Sequence, residues 1–342
     1  MILFVLPLLL GLLPHGAIRE VDFEPTGVSA NGRIVFGETG ASAPCTWSVE
    51  RGLQRLEIPS GFDEGFAYGA SEDGAFLVGQ VKKGKTGWVC RWTRGRVELI
   101  CEAIFPEGPA ISLDGSTVVG SQIRETTAGG VISAFRWRKP SGIEYLRSLD
   151  PSIKVEYNVA TAASRDGSLV FGWSQTRPGG GVAPGGSGGP ADDGSVTACR
   201  WDSAGNPTPL GRPDERRSDY AYGCNEDGSV VVGSGEAGST PVMWNRKPYR
   251  LLLGPDGKVN GEAHLVSADG HWSLGYELAS GGKPSREIIW RDAHPQWFGD
   301  FLKERHLALP KGCSDRVTGI SRDGKTMVGP GRGDRSGWIL SL

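Results

Sequence analysis

The chain has no run of 18 apolar residues, which leaves no candidate transmembrane helix. It also lacks an excess of charge. Its 37 basic and 39 acidic residues are well mixed, so the basic footprint of a nucleic-acid binder is missing. Histidine is scarce, and none of His15, His264, His271, His294 and His306 sits in a nucleophile or zinc motif. No C-x-x-C spacing offers a metal site. The glycine-rich stretch Gly179 to Gly189 is mixed with Pro and Ser and reads as a loop rather than a phosphate cradle. No cofactor and no metal are expected. Little of the sequence has helical periodicity.

What is abundant is glycine, with 53 residues, alongside 22 Pro and 11 Trp, a composition suited to many short strands joined by tight turns. A short unit recurs seven times: Ser29-Ala-Asn-Gly32, Ser71-Glu-Asp-Gly74, Ser112-Leu-Asp-Gly115, Ser164-Arg-Asp-Gly167, Asn225-Glu-Asp-Gly228, Ser267-Ala-Asp-Gly270 and Ser321-Arg-Asp-Gly324. Five residues after each glycine comes another: Gly37, Gly79, Gly120, Gly172, Gly233, Gly275 and Gly329. The shortest spacings between units, 41 and 42 residues, match one four-stranded blade. The expected fold is all-β, a seven-bladed β-propeller.

Each unit parses alike. A strand of small residues, such as Phe66-Ala-Tyr-Gly-Ala70, lies innermost where blades converge. The Ser-x-Asp-Gly segment turns the chain, with side-chain oxygens bonding nearby N–H groups and glycine at positive φ. A second, apolar strand follows, and a third ends in Trp in six repeats: Trp47, Trp92, Trp137, Trp201, Trp244 and Trp290. These tryptophans read as packing between blades rather than sugar platforms. The Asp of each turn reads as structural, because one carboxylate per turn falls short of a calcium loop. The last unit stops at Gly337-Trp-Ile-Leu-Ser-Leu342 without an outer strand. Ala17 to Phe23 is expected to supply it, closing the ring and removing an open edge.

The N-terminus reads differently. Met1 to Leu13 is almost wholly apolar and is followed by Pro14, His15, Gly16 and Ala17, the pattern of a signal peptide spanning 1–17, although no Lys or Arg precedes it. That leaves 18–342 as one propeller domain. Cys45, Cys90 and Cys199 share a strand position held by Phe135, Val242 and Ile288 elsewhere, so they read as buried core residues. Cys90 and Cys101 flank the turn at Arg94-Gly95, where a cross-hairpin disulfide is the alternative.

Strand order puts the first-to-second and third-to-fourth turns on one face of the disc, and these are short and uniform. Length variation falls on the other face: Ser121 to Ser133, Leu149 to Tyr157, Ser174 to Thr197, Gly211 to Asp219 and Asp292 to Asp315, with a candidate helix over Pro295 to Leu307. Loops on a rigid scaffold are where binding groups sit. The candidate ligand-binding residues there are Arg216, Arg217, Asp219, Tyr220 and Tyr222, with Tyr68, Tyr157, His264 and Trp297 in comparable places.

The repeats resemble the extracellular HAF-type repeats, named for a His-Ala-Phe tripeptide before the Trp. The nearest copy is Ser133-Ala-Phe-Arg-Trp137, with Ser for His; Thr197-Ala-Cys-Arg-Trp201 and Pro241-Val-Met-Trp244 have drifted further. Leu302, Val317-Thr-Gly-Ile-Ser-Arg-Asp-Gly324, Gly329 and Gly337-Trp-Ile-Leu340 look like the family's closing repeat. The resemblance implies an exported bacterial protein with no assigned catalytic residues.

The expected function is therefore that of an exported, non-enzymatic, monomeric propeller binding a protein or carbohydrate through its longer-loop face. Two alternatives stand beside it. One is a polysaccharide hydrolase or lyase with carboxylates and Tyr or His over the channel mouth. The other is an intracellular interaction scaffold.

Overall fold

A computed structural model describes residues 16–40, 42–103, 108–126, 129–153, 157–176, 196–211, 218–235, 239–245, 250–258, 260–279, 285–331 and 336–342. Seven four-stranded antiparallel sheets form the seven blades of a β-propeller. The inner strands begin blades 1 to 7 in order: Glu24–Val28, Glu64–Ala70, Ala110–Ile111, Asn158–Ala163, Tyr220–Cys224, Gly261–Val266 and Gly319–Ile320. The outer strand of blade 7 is Ala17–Val21, paired with Gly337–Ser341 from Ala17↔Ser341 to Val21↔Gly337. The ring thus closes by joining both ends of the chain in one sheet. Most of the expected signal peptide, 1–15, lies outside the described residues, while Ala17 already belongs to this strand.

The repeated turn is built by its own side chains. Ser71 Oγ donates to Asp73 Oδ1 at 2.9 Å and accepts the N–H of Phe76 at 3.0 Å. The same Asp73 oxygen accepts the N–H of Ala75. Gly74 takes φ 72°, and a Cβ there would lie 2.5 Å from Ile34 of the preceding blade. The turn glycine therefore serves two ends, a left-handed bend and a close blade-to-blade approach.

The second glycine has a different cause. In five blades the inner strand carries a register shift that leaves out one residue: Thr26, Tyr68, Thr161, Tyr222 or His264. A Cβ on Gly79, Gly172, Gly233 or Gly275 would sit 1.9 Å from the carbonyl oxygen of Phe66, Val159, Tyr220 or Glu262. Only glycine allows that approach.

Each of four repeat tryptophans donates its indole N–H to a carbonyl of the chain leaving the previous blade: Trp92 to Glu57, Trp201 to Arg147, Trp244 to Gly211 and Trp290 to Leu253, at 2.7–2.8 Å. Trp92, Trp201 and Trp290 are fully buried, so they staple blades together. All six cysteines are free thiols. The alternative disulfide is not formed: Cys90 lies opposite Leu99 and Cys101 opposite Val89, with the register shifting between them.

Two expected loops are in part regular structure. Ser121 to Ser133 continues the sheet, as strands Thr117–Thr126 and Gly129–Arg138 run outward together as a long hairpin. In Asp292 to Asp315, His294–Trp297 is the outer strand of blade 6, and the helix is the shorter Phe298–Lys303. Pro295 fits there because an outer strand spares it a ladder donor. The helix buries Phe298, Phe301 and Leu302 beside Trp338.

The face bearing the repeated turns is sealed at its centre. In blades 2, 4, 5 and 7 the second residue of the turn donates its backbone N–H to the next blade, Glu72 to Leu113 O, Arg165 to Glu226 O, Glu226 to Ala268 O and Arg322 to Ala30 O, and in blades 1 and 3 the third residue does so, Asn31 to Glu72 O and Asp114 to Arg165 O. Above this belt four side chains meet across the axis. Arg165 bonds Glu72 and Glu226 at 2.6 Å each; Arg322 bonds Glu72 at 2.7 Å and also Glu226. Blades 2, 4, 5 and 7 are thereby tied in an alternating ring of charge. With side chains 26–38% exposed, each pair is worth about 1 kcal/mol or less. Hydrogen bonds from Arg165 and Arg322 hold the Glu72 carboxyl below its ordinary range.

Candidate functional site

The opposite mouth of the channel is lined by the first residues of the inner strands. Around the starts of these strands blades 4 to 6 gather aromatic and titratable side chains. Tyr220 and Tyr222 are two apart on one strand, so they share a face, with ring centroids 6.3 Å apart. Trp173 meets them edge-on at 5.3 and 6.0 Å, and Tyr157 packs against the same cluster. Tyr222 receives a hydrogen bond from Ser234 at 2.9 Å. Burial, reinforced by the charge of Glu262, pushes its phenol well above the ordinary range.

Glu262 carries the wall into blade 6. Tyr276 donates its hydroxyl to Glu262 at 3.0 Å, and Tyr276 lies directly opposite both Glu262 and Glu287 in the sheet register. A row of acid, phenol and acid therefore crosses three strands on one face. His264, beside Tyr276 at 5.7 Å, is in hydrogen-bond contact with the carbonyl of Val317 at 3.3 Å, so its Nε2 carries the proton and ties blade 6 to blade 7. Its Nδ1 and Glu287 Oε1 are buried without a hydrogen-bond partner, and His264 Nε2 lies 3.9 Å from Glu287 Oε1.

These surroundings reset the acidities. Burial pushes His264 down to about 4 and Tyr276 up to about 12, and raises Glu262 and, much further, Glu287. At neutral pH His264 is neutral, and burial favours the protonated form of Glu287.

Glu287 has no counterpart in the other blades. The residue opposite the one after the second glycine is Pro44, Val89, Ala134, Ala198, Pro241 and Gly337 elsewhere, and Glu287 only in blade 6. A position filled six times by small or apolar residues here holds an acid only 4% exposed. Because folding raises its affinity for a proton, the folded state loses stability as pH climbs above the ordinary glutamate value of about 4.3. Glu287→Gln keeps an oxygen acceptor and cannot ionise. It is expected to stabilise the protein by about 1–2 kcal/mol at pH 8 and by little at pH 5; equal denaturation midpoints at both pH values would refute this.

Of the residues singled out from sequence, the structure brings Tyr157, Tyr220 and Tyr222 together, and His264 joins them through Glu262 and Tyr276. Asp219 is buried just before this strand, its N–H bonded to Val196 O. Tyr68 is exposed on blade 2, against Gly108. Trp297 lies on the outer strand of blade 6 beneath Arg286, at 3.6 Å, lining a shallow recess with Asp256, Lys258 and Glu277. Arg216 and Arg217 lie outside the described residues. Trp173, Glu262, Tyr276 and Glu287 were not singled out. Aligning the seven repeats position by position exposes Glu287 at once.

No family model matches the chain, and no curated protein matches it. Its fold does match: 692 solved chains are similar, a breadth that selects no single function. Among them is the β-propeller domain of Cps50 (Swd1) from Myceliophteria thermophila. It is 11% identical, with a TM-score of 0.57 over 95% of this chain and 100% of that one. At that identity the likeness establishes architecture, and the chain is thus a seven-bladed β-propeller similar in fold to that domain.

Proposed function

We propose that the protein is a non-enzymatic β-propeller that binds a ligand or partner through the face opposite its repeated turns. One observation carries this reading: the two faces are built differently. The turn face is short-looped, bonded blade to blade and sealed by Glu72, Arg165, Glu226 and Arg322. The other face carries the long hairpin of blade 3, the helix Phe298–Lys303 and the polar-aromatic wall of blades 4 to 6. The paired strand ends Gln175 and Val196 of blade 4 also lie there. The test probes an array of glycans and envelope proteins with the protein and two variants. Shortening the hairpin between Ile123 and Ile132 is expected to weaken a bound partner at least tenfold. Replacing Arg165 and Arg322 by Lys on the turn face is expected to leave it bound. The reverse pattern would sink the face assignment.

Export and membership of the HAF-type repeat group belong to the same proposal. They are supported by the apolar Met1 to Leu13 and by the closing-repeat residues Val317 to Gly324. A native N-terminus near Ile18 is the expected result of sequencing. An intact Met1 would favour the intracellular scaffold, a reading the six free thiols also suit. The row Glu262, Tyr276 and Glu287 beside His264 gives the hydrolase or lyase reading its one foothold. Polysaccharide cleavage lost in Glu287→Gln would establish that reading instead.

A further inference from the structure

Glu262 and Glu287 bracket the Tyr276 ring on three successive strands, and Tyr222 stands near enough for Glu262 to act on its hydroxyl. Two carboxyls and two phenol rings thus converge across blades 5 and 6. Among the described residues, neither carboxyl forms an ion pair with Lys or Arg; the exposed Arg316 acts on both from a distance. Glu287 Oε1 is buried with no partner, at a position the other blades fill with Pro, Val, Ala or Gly. The backbone N–H of Val317 bonds this carboxyl, but a buried oxygen left without a partner is costly, and the blade does not need an acid there to pack.

We propose that the row Glu262–Tyr276–Glu287, with Tyr222, is a binding subsite for an organic cation: an ammonium group carried by a small amine or by a lysine side chain of a partner. This rests on the loop-face reading above and gives that face its chemistry. An ammonium brings three donors and no acceptor, which suits two carboxyls with unused oxygen lone pairs. Phenol faces attract the same cation. An anion would meet two acids, and an uncharged sugar would leave them without a counter-charge.

Binding is coupled to the ionisation of these acids. The groups facing the row are Tyr222 from blade 5, Glu262, His264 and Tyr276 from blade 6, and Asp315 and Arg316 from the segment entering blade 7. Because the cation favours the carboxylate forms, affinity is expected to rise from pH 5 to pH 8.

The test is a titration of the full chain, followed by calorimetry, with n-butylammonium chloride, the peptide acetyl-Ala-Lys-Ala-amide, sodium butyrate and methyl glucoside. The expected result is binding of the two cations alone, at least tenfold weaker in Glu262→Gln and in Glu287→Gln and unchanged in Tyr145→Phe, an exposed phenol on the outer strand of blade 3. Binding of the peptide without the free amine would identify a partner's lysine as the source. Silence from both cations, equal binding of butyrate or glucoside, or unaltered affinity in both Gln variants would overturn the subsite. A partner held on the loop face but indifferent to both Gln variants would remove the subsite and leave the face. A partner held on the turn face would remove the face, while the n-butylammonium titration still judges the subsite.

Discussion

Gly172→Ala is expected to cost about 4 kcal/mol, near the top of the range for a single substitution. The added methyl would lie 1.9 Å from Val159 O and 3.0 Å from Ala160 Cα. Both are backbone atoms, and Ala160 is paired with Gly172 itself. No rotamer change relieves such an overlap; the strands must part or the register shift must be lost. Gly120 provides the comparison. Its added methyl would meet side chains alone, the ring edge of Phe135 at 3.1 Å and Pro109 at 3.5 Å, and Gly120→Ala is expected to cost about 1 kcal/mol. Urea denaturation of the two variants checks the contrast, and equal midpoints would show that the second glycine is kept for some other reason.

A chain beginning at Asp22 is expected to lose more. It lacks the strand Ala17–Val21 and with it the ladder to Gly337–Ser341, including the pairs Ile18↔Leu340 and Glu20↔Trp338. Net hydrogen bonds of about 1 kcal/mol each, together with the burial of Ile18 and Val21, put the loss at about 5 kcal/mol. The uncovered strand edge also invites association with another copy. Melting and size-exclusion measurements on chains beginning at Gly16 and at Asp22 separate the outcomes. The longer chain should melt as a stable monomer and the shorter should melt early and associate. Identical behaviour would mean that the closing strand is dispensable.

The architecture was legible in the sequence because each repeated residue does a local job in its own blade. Ser71 and Asp73 fold their own turn, Trp92 reaches the chain leaving the previous blade, and Gly79 admits one carbonyl. Such requirements recur with the blade and so show as a pattern. Ser121 to Ser133 reads as a loop because it separates Gly120 from the residues leading into Trp137, although Ile123 pairs with Ile132 and continues the sheet. The site was legible only in part. Tyr220, Tyr222 and His264 stand out as aromatic residues in inner strands, whereas Glu262 and Glu287 resemble surface acids until the strands set them either side of Tyr276. The central ring was hidden for the same reason. Glu72, Arg165, Glu226 and Arg322 occupy the variable letter of the turn motif, where charge reads as solvated, and they meet only because a closed disc points them at one axis.

That ring makes the disc a cup rather than a tube. Whatever enters between the inner strands meets a floor of two guanidinium and two carboxylate groups, and must leave by the rim it came through. Passage through the disc would first have to part these four ion pairs.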